Sequence, residues 1–132
     1  MGAARDAADQ SMALTEARDR DGWLALFADD AVVEDPVGPS MFDPEAQGHR
    51  GKEAITAFYD NVISTSEKVE FTIRDSYECG SEVANVGQIR ITLPGGQVAV
   101  VPVVNIYKVN DAGRLLSLRS FWEADKLSFD PA

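Results

Sequence analysis

The side chains able to move protons in this chain are few in kind. Asp and Glu total 22, against one His and one Cys, so acid–base chemistry falls to carboxylates and tyrosines. One Cys cannot close an internal disulfide, and one His with it cannot make a zinc site. A Ser-His-Asp or Cys-His route would have only His49 to draw on. That residue lies among Gly48, Arg50 and Gly51 and reads as a solvent-side loop residue. The acidic pairs Asp29-Asp30 and Asp19/Asp21 read as a solvated corner and helix caps. Neither an Asp-x-Asp-x-Asp-Gly loop nor a glycine-rich phosphate loop accompanies them, so no metal or cofactor is expected.

Asp35 is the first candidate for chemistry. In Ala31-Val32-Val33-Glu34-Asp35-Pro36 it stands two residues after Val33. Strand side chains alternate, so it shares Val33's face while Glu34 shares Val32's. If Val33 points inward, Asp35 enters an apolar interior, where lost hydration raises a carboxyl's pKa and makes it a better proton acceptor at neutral pH. The commoner use of an Asp-Pro pair is a turn in which the side chain caps backbone N–H groups.

Asn105 is the second. It is the one amide in Val100-Val101-Pro102-Val103-Val104-Asn105-Ile106-Tyr107, on one face with Val103 and Tyr107. A buried amide without partners costs roughly 1–3 kcal/mol. Asn105 therefore either closes a structural hydrogen bond or offers its NH2 to a ligand oxygen. Phe58, Tyr59 and Trp122 are the aromatic candidates, with core packing as the commoner fate of large rings at such spacing.

Three early segments have helical spacing. Residues 3–17 repeat Ala4, Ala7, Ala8, Ser11, Met12 and Leu14; Asp21 to Phe27 carries Trp23, Leu24 and Phe27; the third, after Gly51, lines up Ile55, Phe58, Tyr59 and Val62. The run 31–36 is a short strand stopped by Pro36. Residues 37–51 hold two prolines and three glycines without periodicity, a loop over a pocket or edge. Strands are predicted over 68–77, 83–93, 97–109 and 114–123, with Pro94-Gly95-Gly96 as a hairpin turn and Asn110-Asp111-Ala112-Gly113 as the next. Helices followed by an antiparallel meander make an α+β fold, with helices covering one sheet face. A length of 132 residues and the absence of a linker fit one domain, 1–132.

The formal charge is −10 with 45% hydrophobic residues. That acid excess excludes nucleic acid as a partner, because phosphate binding needs clustered Lys and Arg. The apolar content excludes a disordered acidic chain. No stretch approaches the ~20 apolar residues of a membrane helix. MGAARDAADQ lacks the apolar core of a secretory signal, so a soluble cytoplasmic protein is expected.

Taken in order, these segments look familiar. The run from Trp23 to Gly38, with Ala28-Asp29-Asp30-Ala31 and Glu34-Asp35-Pro36-Val37-Gly38, resembles the signature of Δ5-3-ketosteroid isomerases. Those enzymes belong to the superfamily shared with nuclear transport factor 2, scytalone dehydratase and SnoaL-type polyketide cyclases. Gly51-Lys52-Glu53-Ala54-Ile55 with Ala57-Phe58-Tyr59, then Asn110 to Arg114 and Ser120-Phe121-Trp122, are similar to later parts of the same pattern.

The resemblance implies an NTF2-like cone: three N-terminal helices on a curved antiparallel sheet enclosing an apolar pocket, usually as a homodimer. It implies proton transfer without cofactor on a 3-oxo-Δ5 steroid or similar polycyclic ketone. Asp35 falls on the base, Tyr59 on a tyrosine supporting the donors, and Phe58, Val103, Leu118 and Trp122 on the pocket wall, with Tyr107 on Asn105's face.

Two positions depart from the pattern. Asn105 replaces a protonated carboxylic acid; its NH2 still donates to an oxyanion and has no proton to lose. The other donor, a tyrosine on the first helix, is missing, and its place falls near Ser11. Tyr107 and Tyr59 are the candidates to reach in. The alternatives are a non-catalytic binder of steroid-like apolar ligands, or a hydratase, epoxide hydrolase or cyclase using Asp35 on the same scaffold.

Overall fold

The computed structural model describes residues 2–130, so the first residue and the last two of the expected domain lie outside it. Helix α1 (Ala3–Glu16) buries Ala4, Ala7, Ala8, Ser11 and Thr15 along one face, all small side chains that let its axis lie close on the sheet. Helix α2 (Arg20–Ala25) starts at Asp19, whose carboxylate accepts the N–H of Gly22. It stops before Phe27, which belongs to strand β1 (Phe27–Glu34) and not to the helix, as its spacing had suggested. Strand β2 (His49–Arg50) and helix α3 (Gly51–Asn61) follow. Then come β3 (Lys68–Cys79), β4 (Glu82–Thr92), β5 (Val98–Val109), β6 (Leu115–Phe121) and β7 (Ser128–Asp130).

The strands form one sheet in the order β2-β1-β6-β5-β4-β3, with β7 on β5. The predicted hairpin is present: β4 and β5 pair antiparallel across Gly95 and Gly96, both at positive φ. The sheet is not antiparallel throughout, because β1 runs parallel to β6. The 37–51 loop is also shorter than expected, since His49 and Arg50 pair with β1.

Bulges in β3, β5–β6 and β1–β6 bend the strands. At the β3 bulge the backbones approach so closely that a Cβ on Gly87 would overlap the Thr72 carbonyl oxygen. The bent sheet and the helices enclose the core, centred on Trp23, Phe27, Val33, Ile55 and Leu115. Trp23 packs edge-on against Phe27 at 4.7 Å and donates its indole N–H to Ser11 Oγ. None of the described helices is long and apolar enough to cross a membrane.

Candidate active site

Asp35 leaves the end of β1 on the face of Val33, which is fully buried, as the alternation predicts. Two residues of β6 and its extension hold that corner: the Val37 N–H donates to the Ser120 carbonyl at 2.9 Å, and the Trp122 indole N–H donates to Asp35 Oδ1 at 2.7 Å. The Asp35–Pro36 and Gly38–Pro39 peptide bonds are cis. Burial holds the Asp35 carboxyl above the usual carboxylate range, while Trp122, Ser120 and His49 pull it part of the way back. Asp35 is thus an ionisable acid with its charge poorly hydrated and one oxygen fixed.

Its open side faces a cavity of about 310 Å³ between the inner sheet face and the helices. Most of the wall is aliphatic or aromatic, including Val69, Phe71, Ile89, Val101 and Phe42. Asn105, Tyr107, Leu118 and Trp122 also line it, together with Ser11 and Thr15 from α1. A cavity of this size and lining suits a flat apolar molecule carrying few polar atoms.

Two neutral groups stand on the wall near Asp35. Asn105, 3% exposed, has no partner for its Oδ1 among the described residues. Tyr107 is fully buried, and burial first, then the charge of Asp35, push its hydroxyl well above the ordinary tyrosine range. Ser11 and Asn105 act in the opposite direction on that hydroxyl. At neutral pH Tyr107 therefore keeps its proton and stays a hydrogen-bond donor. Ser11 occupies the α1 position facing it, so here the tyrosine hydroxyl comes from β5.

Three of the expected site residues lie elsewhere. Tyr59 is buried against Trp23 at 5.4 Å, and the groups acting on its hydroxyl are Arg18, Arg20, Asp19 and Asp60, at the corner of α1, α2 and α3. It is not among the residues that line the cavity beside Asn105. Phe58 is one layer behind the wall, packed on the rings of His49 (4.7 Å) and Phe42 (6.4 Å). Val103 is buried, but the cavity wall on its strand is made by Ala99, Val101, Asn105 and Tyr107. Opposite it stands Gly87, at the place where β3 is bulged.

His49 is the largest departure from expectation. It is half-buried in β2 opposite Val33, its Nε2 is buried without a partner among the described residues, and it favours the ionised forms of Asp35 and Asp43. Ser120 was also not singled out, although it alternates with Leu118 and Trp122 along one face.

A family model for the SnoaL-like domain matches residues 8–118. The chain belongs to the SnoaL-like family. This SnoaL-like protein is 28% identical over 109 residues to the steroid Delta-isomerase of Nocardioides simplex, covering 82% of this chain and 80% of that protein. The structure of a Δ5-3-ketosteroid isomerase from Mycobacterium sp. is 37% identical with a TM-score of 0.91, over 98% of this chain and 100% of that one. A Mycobacterium tuberculosis protein solved in complex with estradiol-17β-hemisuccinate is 35% identical with a TM-score of 0.90, over 98% and 100% of the two chains. The fold is the NTF2-like cone of these neighbours, with an open curved sheet and few helices.

Proposed function

We propose that this protein is an isomerase that moves the C=C bond of a 3-oxo-Δ5 steroid, or a similar polycyclic ketone, by intramolecular proton transfer. Asp35 takes the proton from the carbon between the ketone and the double bond. The negative charge then passes to the ketone oxygen, giving a dienolate held by Asn105 Nδ2 and the Tyr107 hydroxyl. Asp35 returns the same proton to the far carbon of the dienolate, so the enzyme ends as it began. Preformed neutral donors stabilise that oxyanion without reorganising and without a cofactor. Leu118 and Trp122 flank the ligand. The observation carrying this reading is a half-buried, poorly hydrated carboxylate, fixed by Trp122 at 2.7 Å, that shares one apolar cavity with two proton-retaining donors. The similarity to steroid isomerases supports the choice of substrate.

The test is conversion of 5-androstene-3,17-dione to the conjugated ketone, followed by absorbance. Removing a general base should cost ~10²–10⁴-fold, so Asp35→Asn should lose activity on that scale. No turnover above the solvent rate, or an undiminished rate in the variant, overturns the reading. One observation favours a second: the face of α1 toward the cavity carries Ser11 where the resemblance calls for a tyrosine. A non-catalytic carrier would bind the dione in the micromolar range and leave it unconverted.

We further propose that the whole chain acts as one domain, in the cytoplasm, as a homodimer joined through the outer face of the sheet. Val86, Val104 and Ile106 lie half-buried side by side there, with Phe121 38% exposed beside them. That face is apolar, which suits a second copy better than water.

A further inference from the structure

Strands β4, β5 and β6 set three polar side chains side by side on the inner face. Asn85 stands opposite Asn105, and Asn105 opposite Ser120. They are 2%, 3% and 2% exposed, in a sheet whose inner face is otherwise mostly apolar. Buried amides and hydroxyls nearly always find a partner. Yet Asn85 Oδ1, Asn105 Oδ1 and Ser120 Oγ have none within hydrogen-bond geometry among the described residues. A row of such groups beside a carboxylate is costly to keep unless it serves the site.

Ser120 is the member with two neighbours to choose between. Its backbone carbonyl already pins the chain just past Asp35 through Val37. Its hydroxyl lies close enough to Asp35 to favour the ionised carboxylate. On its other side, directly opposed residues of an antiparallel pair have Cβ atoms ~4.5–5.5 Å apart, within reach of a turned hydroxyl and an amide oxygen. The other titratable groups that interact with Asp35 are His49 on β2 and Tyr107 on β5.

We propose that Ser120 is a positioning residue whose hydroxyl turns between Asp35 and Asn105, strengthening the amide donor when the base has taken its proton. The inference rests on the reading of Asp35 as base and Asn105 as donor. With Asp35 ionised, the Ser120 O–H points at the carboxylate and holds it. Once protonated, the acid is a weaker acceptor, and the O–H turns to Asn105 Oδ1. An amide whose oxygen accepts a hydrogen bond gives a stronger one from its NH2, because bonds in a chain polarise one another. The dienolate carries its charge at that moment. No covalent bond forms or breaks in the turn. Trp122 cannot take this part, since an indole N–H has one fixed direction.

A double-mutant cycle tests the coupling, with the steroidal phenol equilenin as probe of the donor site. Asp35→Asn imitates the uncharged base and should tighten equilenin binding. In the Ser120→Ala background that gain should shrink by at least about twofold, the low end of coupling between touching residues. Ser120→Thr, which keeps the hydroxyl, should restore it. In steady-state kinetics Ser120→Ala should move the ascending limb of kcat/KM to higher pH, because the hydroxyl that favours the carboxylate is gone. A merely structural role would scale the rate equally at every pH and leave the equilenin gain unchanged. Additive affinities, or a limb that does not move, overturn the proposal. Coupling in a parent that converts no steroid overturns the isomerase reading alone.

Discussion

At the scale of single residues, Asp35 shows how a carboxyl proposed as a base weighs on the fold that holds it. Its carboxyl is raised from the ordinary 3.8 chiefly by burial, so the folded state prefers the protonated acid. The stability this acid contributes is fully present below the ordinary value and is lost as the pH rises through the raised one. At neutral pH the ionised group is a liability. Asp35→Asn should therefore raise the melting temperature at pH 7, by the equivalent of ~1–3 kcal/mol for a poorly hydrated polar group. The gain should vanish toward pH 3. Thermal melts of both proteins across that range check it, and an equal or lower melting temperature at pH 7 would contradict the burial argument. The inward direction of Asp35 was legible in sequence because one period-2 step from Val33 fixes it. The role implied for Tyr59 came from its match to a tyrosine in the family pattern, and a matched residue type does not fix which way the hydroxyl leaves the core. His49 was misread because its glycine neighbours suggest a loop, whereas its conformation comes from pairing with β1, sixteen residues earlier.

At the scale of elements, local signals carried the hairpins, and distance hid the rest. The β4–β5 pair could be read because Pro94-Gly95-Gly96 joins two alternating runs. The parallel β1–β6 pair unites residues some 85 positions apart, with both helical and strand segments between them, so no short-range pattern points to it. It nevertheless brings Trp122 onto Asp35. The curvature that opens the cavity also has one local cause visible in hindsight, a glycine inside a strand. A Cβ at residue 87 would meet backbone atoms of β3, not a flexible side chain that could swing away. Gly87→Ala should thus cost at least about 3 kcal/mol, the upper end of overpacking penalties. Urea unfolding measures it. A loss below 1 kcal/mol would mean that the bulge shifts freely and does not set the curve of the sheet.

For the whole molecule, shape and charge pull in opposite directions. A formal charge of −10 makes two copies repel. The outer sheet face is where that repulsion is weakest: Ala84, Val86, Val100, Val104 and Ile106 carry no charge, and the ionic side chains of β4–β6 around them nearly balance, with Glu82 opposite Lys108, Arg90 paired with Asp130 at 2.9 Å, and Arg119. Arg119 is already neutralised by Glu34 at 2.9 Å and lies over the Phe121 ring. A dimer through this face hides the apolar strip and leaves the acidic surfaces outward. Val104, paired with Val86 on one side and Phe121 on the other, is central to it. Val104→Asp would bury an unpaired carboxylate in each copy and should weaken association at least ~100-fold. The cavity lies on the opposite face of the sheet, so equilenin affinity should survive. Sedimentation should find a dimer for the parent and a monomer for the variant at micromolar concentration. Raising the salt should tighten the parent dimer, because screening removes repulsion and leaves apolar burial intact. A parent that sediments as a monomer, or a dimer loosened by salt, would mean that the uncovered strip is tolerated in water and that charge alone keeps the chain soluble.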